Sequence, residues 1–87
     1  MASSNKKRIL IADADVLAVA TTIGVLKDAY HVVTAKSAAE VFKQLKKQQI
    51  DMLILETELP DQSGFELCRK LKKTASTAAL PVVFVTA

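Results

Sequence analysis

Acidic side chains gather just after two short apolar segments of the chain. They are Asp13 and Asp15 after the first segment, and Glu56, Glu58 and Asp61 after the second. Glu56 ends a run of large apolar residues, where a purely structural position is rarely charged. Two interpretations of these acids are open: they form a functional site, or they are solvated loop residues. The pattern predicts a local acidic pocket, of the kind in which ligand binding or catalysis takes place.

Four apolar segments are predicted to form the strands that position these acids. They are Arg8–Ala12, Tyr30–Thr34, Met52–Leu55 and Pro81–Ala87. Met52–Leu55 is predicted to be buried on both faces, as in a parallel sheet covered by helices. In open parallel sheets the carboxyl ends of the strands line the crevice where ligands bind. The acids that follow the first and third strands are therefore predicted to lie in that crevice.

Three helices are predicted between the strands. Asp15 can cap the first helix, and the segments Ser37–Glu40 and Ser63–Glu66 have the spacing of a capping box at the starts of the second and third. In the third helix Phe65, Cys68 and Leu71 are predicted to face inward. The order β-α-β-α-β-α-β predicts an α/β fold with a parallel sheet and right-handed connections.

The composition describes one small globular domain. The chain has 87 residues, 51% of them hydrophobic. Residues 1–7 are predicted to be a flexible leader and residues 8–87 to form the domain. No apolar stretch reaches the roughly 18 to 20 residues of a membrane span, and the N-terminus lacks the apolar core of a secretory signal. We therefore expect a cytoplasmic protein without membrane contact, in which the single cysteine, Cys68, is a core residue.

The formal net charge of +3 raises the question of nucleic-acid binding. The lysines and arginines lie on two predicted helices and at the start of the chain, with few aromatic residues among them to stack on bases. Solvated helix faces explain this distribution. The charge pattern alone therefore disfavours nucleic acid as a partner of this domain.

Five segments follow one another along the chain: Ile9–Asp15, Tyr30–Ala35, Asp51–Pro60, Gly64–Arg69 and Leu80–Ala87. In their order and spacing they resemble the receiver domain of two-component response regulators. The resemblance implies a flavodoxin-like, doubly wound sheet with strand order 2-1-3-4-5, of which the order 2-1-3-4 is expected here. It also implies an aspartate after the third strand that takes a phosphoryl group from a histidine kinase, with Mg²⁺ bound by neighbouring carboxylates.

The chain departs from the family pattern at three places. Glu56 stands at the position of the phospho-accepting aspartate, and Ala14 replaces a direct metal ligand beside Asp13. Thr86 matches the family's hydroxyl residue that contacts the phosphoryl group, but the chain ends at residue 87, before the expected lysine, fifth strand and later helices. By the resemblance, Mg²⁺ would be held weakly by Asp13, Glu56 and Glu58, the last through its backbone carbonyl.

These departures favour a degenerate receiver over an active one. We expect a signalling module that is not an enzyme and that acts by contacts with proteins, either a histidine kinase or an output domain of the same chain. One alternative is an active phospho-acceptor that uses Glu56 with Mg²⁺. A second alternative is a basic nucleic-acid-binding fragment.

The predicted strand order makes the fourth strand an edge of the sheet. Val82–Val85 would then be an apolar edge without a charged residue to prevent pairing with another chain. Because the later helices are absent, part of one sheet face would also be uncovered. The sequence therefore predicts a homo-oligomer that forms through this edge.

Overall fold

The computed structural model describes residues 6–85 and has the predicted alternation of strands and helices. The strands are β1 (Arg8–Ala12), β2 (His31–Ala35), β3 (Met52–Glu56) and β4 (Val82–Val85). The helices are α1 (Val16–Leu26), α2 (Ala38–Lys47) and α3 (Gly64–Lys73). The strands form one parallel sheet in the order β2-β1-β3-β4. The predicted fold class and strand order are thus confirmed.

The register of the sheet separates its two faces. Leu53 pairs with Leu10 and Val82, so these side chains share one face, and they belong to or pack against the main core. That core includes residues of α2 and α3, namely Ala38, Val41, Leu67 and Leu71. The core therefore joins one face of the sheet to the two helices that follow β2 and β3.

The second face of the sheet is less covered toward β4. Ile11 on β1 is buried, its partner Ile54 on β3 is half-buried, and Val83 on β4 is 46% exposed. Helix α1 has no fully buried residue. The prediction that Met52–Leu55 is buried on both faces is therefore wrong for Met52 and Ile54, because cover on this face decreases from β1 to β4.

Side chains cap the three helices at the predicted residues. Asp15 accepts from the backbone N–H groups of α1, and Ser37 and Ser63 accept from those of α2 and α3. The carboxylate half of each predicted capping box differs. Glu40 accepts from the N–H of Lys36 at 3.0 Å, one residue before the expected partner, and Glu66 instead pairs with Arg69 at 2.6 Å.

The predicted inward face of α3 is only partly correct. Leu71 is buried and Cys68 packs against the core, but Phe65 is 54% exposed. Its ring packs on Phe84 of β4, with the ring centroids 4.8 Å apart. The buried face runs through Gly64, Leu67 and Leu71, and Phe65 projects beside that face because a helix turns about 100° per residue.

Strands β2 and β4 differ slightly from their predicted bounds. β2 begins at His31 and ends at Ala35, one residue later at each end than predicted, and β4 is described only over Val82–Val85. Within residues 6–85, no helix has the length and apolarity required to cross a membrane.

Candidate functional site

A cavity of about 360 Å³ lies at the carboxyl ends of β1, β3 and β4. Its acidic lining residues are Asp13, Asp15 and Glu56, and Val85 closes the side toward β4. Parallel pairing of the strands places these residues at the same edge of the sheet. The structure thus brings together three of the acidic residues that the sequence singles out.

Helix α1 supplies a wall of this cavity that the sequence did not predict. Ala18, Thr21 and Thr22 line it, and both threonine hydroxyls donate to backbone carbonyls one turn earlier in α1. A signal was available, because positions 18 and 22 are four residues apart and share one helix face close behind Asp15. The wall is neutral, so the charge of the described cavity comes from its carboxylates.

Glu56 is the last residue of β3, and its side chain turns back onto its own loop. Its Oε2 accepts a hydrogen bond of 2.5 Å from the backbone N–H of Glu58. The side chain is half-buried, with room in the adjoining cavity. The Glu56 carboxylate is therefore bonded to the Glu58 N–H, a backbone donor that could otherwise bind an anion at this end of the sheet.

Asp13 and Asp15 are held by hydrogen bonds to backbone groups. Asp13 Oδ1 accepts from the N–H of Asp15 at 2.9 Å, and the N–H of Asp13 donates to the carbonyl oxygen of Ala35 on β2. Asp15 Oδ1 accepts from the first turn of α1. Ala14 lines a separate cavity of about 140 Å³. Asp15 is thus both a helix cap and a wall of the site.

The two remaining acids after β3 do not line the cavity. The side chain of Glu58 is exposed, and the residue reaches the site through its backbone N–H. Asp61 lies at the start of α2, where its carboxylate accepts from the N–H groups of Ala38 and Ala39 at 2.8 and 3.0 Å. These hydrogen bonds lower the pKa of Asp61 because they stabilise its charged form. Asp61, expected in the acidic pocket, is instead a long-range helix cap.

The donor set fits Mg²⁺ poorly. Mg²⁺ takes six oxygen ligands in near-octahedral geometry. Residues 6–85 contain no group of three or more acidic, histidine or cysteine side chains arranged to hold a metal ion. Asp13 and Glu56 share the cavity, but each already has an oxygen bonded to a backbone N–H. Thr86, predicted to contact a phosphoryl group, lies outside the described residues.

A second cavity, of about 470 Å³, lies between the C-terminal end of α2 and the segment before β4. Its lining includes Gln48, Asp51, Thr77 and Pro81. Its volume is larger than that of the first cavity, but its lining holds a single carboxylate and no second titratable side chain. Of these two cavities, the smaller one, lined by Asp13, Asp15 and Glu56, is therefore the one suited to chemistry that needs paired carboxylates.

Charge is divided between the two ends of the sheet. Each helix follows a strand, so the helix starts lie at the carboxyl end of the strands. Most acidic residues lie at this end, together with a single lysine, Lys36. The C-terminal turns of α2 and α3 and the start of β1 form the opposite, amino end. That end carries two carboxylates, Asp28 and Asp51, and a larger number of cations: Lys6, Lys7, Arg8, Lys27, Lys46, Lys47, Lys70, Lys72 and Lys73. We call the two ends the acidic pole and the basic pole.

Residues 9–87 match the response regulator receiver domain family. The chain belongs to this family. The receiver is 33% identical over 79 residues to the transcriptional regulatory protein AfsQ1 of Streptomyces coelicolor, a match that covers 91% of the receiver and 34% of AfsQ1. It is also 31% identical over 74 residues to the CAI-1 autoinducer sensor kinase/phosphatase CqsS of Vibrio cholerae, covering 83% of the receiver and 11% of CqsS.

Solved structures agree with this assignment. The crystal structure of a CheY-like response regulator receiver domain protein from Methanospirillum hungatei superposes with a TM-score of 0.84 at 29% sequence identity. The match covers 94% of the receiver and 65% of that chain. The receiver thus spans about two thirds of this neighbour and about one third of AfsQ1.

Proposed function

We propose that this receiver signals through protein contacts and holds Glu56 as a permanent carboxylate at the phospho-acceptor position. It does not use the phosphorelay in the usual way. The observation that carries the proposal is the hydrogen bond from the Glu58 N–H to Glu56 Oε2. That bond supplies the carboxylate with a partner inside the loop that follows β3.

The length of the glutamate side chain supports this proposal. Glu56 has one methylene more than the aspartate expected by family resemblance, and displacements of about 1 Å can cost on the order of a hundredfold in rate when a reaction depends on positioning. Asp13 lines the same cavity as Glu56, and Ala14 between Asp13 and Asp15 contributes no side-chain oxygen. Both features disfavour phosphoryl transfer, but neither removes the negative charge that Glu56 places in the cavity.

The partners we propose are a histidine kinase or an output domain of the same chain. The support is that one relative is named a transcriptional regulatory protein and another a sensor kinase/phosphatase. The receiver matches 34% of the first and 11% of the second, so in both relatives the matched segment is joined to a much longer chain. We therefore propose that its output is a change in such a contact.

The test is incubation with acetyl phosphate and Mg²⁺, read by intact mass spectrometry. We expect the mass to stay unchanged. A gain of one phosphoryl group in the wild-type chain that is lost in Glu56→Ala would refute the proposal. It would support the second candidate, an active phospho-acceptor that uses Glu56 with Mg²⁺ bound by Asp13, Glu56 and Glu58. The shared cavity of Asp13 and Glu56 is what favours this candidate.

We also propose that the chain self-associates through β4. This strand is an edge of the described sheet, and its side chains Val83 and Phe84 are 46% and 37% exposed. An exposed apolar edge offers unpaired backbone groups to the edge of a second copy. Pairing between copies would bury these side chains and give hydrogen-bond partners to the unpaired backbone groups of β4.

A further inference from the structure

The start of α2 is capped by two residues that are far apart in the sequence. Ser37 Oγ accepts from the N–H of Glu40 at 3.2 Å, and the Ser37 carbonyl accepts from Val41. The N–H groups of Ala38 and Ala39 lie before these and are bonded to Asp61. A helix start has four N–H groups without partners in the helix. Asp61 therefore accepts from the two N–H groups of this helix start that the Ser37 side chain does not bond.

The other two helices are capped locally. Asp15 accepts from both bonded N–H groups at the start of α1, and Ser63 does the same at the start of α3. Among the helices of residues 6–85, α2 is thus the one with a distant capping residue. That residue, Asp61, lies 23 positions after Ala38 and 22 positions after Ala39. This contact joins α2 to the loop that follows Glu56.

That loop, residues 57–63, is internally bonded. The N–H of Leu59 donates to the carbonyl of Gln62, the N–H of Gly64 donates to the carbonyl of Thr57, and Glu58 and Ser63 form an antiparallel bridge. Leu59 is buried and anchors the loop in the core. With these contacts, Glu58 at one side of the loop and Asp61 at its tip are expected to move together.

We propose that Asp61 is a positioning residue that couples the Glu56 site to helix α2. The chain of contacts runs from Glu56 Oε2 to the Glu58 N–H, through the bonded loop to Asp61, and from its carboxylate to Ala38 and Ala39. A change at Glu56 that releases the Glu58 N–H shifts the loop, and Asp61 transmits the shift to the start of α2. The coupling rests on the same Glu58–Glu56 hydrogen bond as the proposed function. It does not require Glu56 to accept a phosphoryl group, so failure of the coupling is distinguishable from failure in the phosphorylation test.

The test compares amide NMR spectra of single and double variants of the 87-residue chain. Glu56→Ala should shift the amide signals of Ala38 and Ala39. In an Asp61→Ala background, Glu56→Ala should leave them unmoved. Asp61→Ala alone should speed hydrogen exchange of these two amides by about fivefold, as expected for the loss of a helix N-cap. Glu66→Ala is the matched control, because it removes an exposed carboxylate of α3 that bonds only Arg69 among the described contacts.

Asp61 is only a structural cap if Glu56→Ala leaves the Ala38 and Ala39 signals unmoved in the presence of Asp61. The proposal is equally overturned if Glu56→Ala moves them by the same amount with and without Asp61. Should Asp61→Ala not fold, Asp61→Asn serves in its place, because it retains one acceptor oxygen. With that variant we expect the Glu56→Ala shifts to be reduced, and shifts of undiminished size would overturn the proposal.

Discussion

A Cβ atom added at Gly64 would overlap the backbone carbonyl oxygen of Glu56. The N–H of Gly64 also donates to the carbonyl of Thr57 at 2.8 Å. Helix α3 thus begins directly against the end of β3, and the neighbouring atoms are backbone atoms that cannot rotate away. Glycine at this position sets how closely the helix approaches the strand that carries Glu56.

Gly64→Ala should therefore destabilise the domain by about 1–3 kcal/mol, the usual cost of forcing an extra methyl group into a packed site. Urea unfolding followed by circular dichroism measures the change. Gly24→Ala is the control, since a Cβ there meets no atom within 4 Å, and it should stabilise α1 by about 1 kcal/mol. Equal effects of the two substitutions would contradict the close approach at Gly64.

Asp61 should make stability depend on pH in the acid range. Its pKa is lowered in the folded chain by the N–H groups of Ala38 and Ala39, so its stabilising effect is fully present above its ordinary pKa of about 3.9. The effect is lost as pH falls through the lowered value. The difference in unfolding free energy between wild type and Asp61→Asn should be constant near neutral pH and shrink below about pH 4. Asp28→Asn, at another exposed aspartate, controls for the general effect of removing a carboxylate.

Under the proposed edge pairing, Val83→Lys should yield a monomer where the wild-type chain is an oligomer. A lysine on an edge strand opposes pairing with a second sheet because its charge would be desolvated there. Light scattering coupled to gel filtration at micromolar concentration gives the mass. Val25→Lys is the control, since Val25 is 77% exposed and belongs to helix α1, which is not a strand of the sheet, and its mass should equal that of wild type. A wild-type chain that is already monomeric would rule out the edge pairing.

Glu56→Asp should increase labelling by acetyl phosphate in the presence of Mg²⁺. The shorter side chain places the carboxylate where the family resemblance expects the nucleophile, so a gain of one phosphoryl group should appear in Glu56→Asp over a time in which the wild-type mass stays unchanged. Intact mass measured over time reports it. Glu58→Asp makes the same chemical change in an exposed side chain two residues away and should have no effect. Identical labelling of Glu56→Asp and wild type would show that side-chain length is not what limits transfer.

The fold could be predicted because its signals are local. Apolar runs, helical spacing and the capping residues Asp15, Ser37 and Ser63 each act within a few residues of the element they define, and the structure agrees with them. The meeting of Asp13 and Glu56 followed from parallel pairing of β1 with β3.

Contacts between distant segments, and the packing of helices on the sheet, are not predictable from local patterns. Asp61 follows the same strand as Glu56, yet it bonds to α2, and nothing in its neighbours along the chain indicates this. The sequence predicts an inward Phe65 because helical spacing gives a buried stripe but not the rotation of that stripe about the helix axis. Gly64, Leu67 and Leu71 settle that rotation once α3 is packed against the sheet.

The separation of the acidic pole from the basic pole gives the domain an electric dipole moment along its strands. A charged partner is rotated by such a field before any contact forms. A basic surface is drawn toward the end that holds Glu56, and an acidic surface toward the far end. Orientation of the encounter is thus set at a distance by the arrangement of charge, and added salt weakens it by shortening the range of the field.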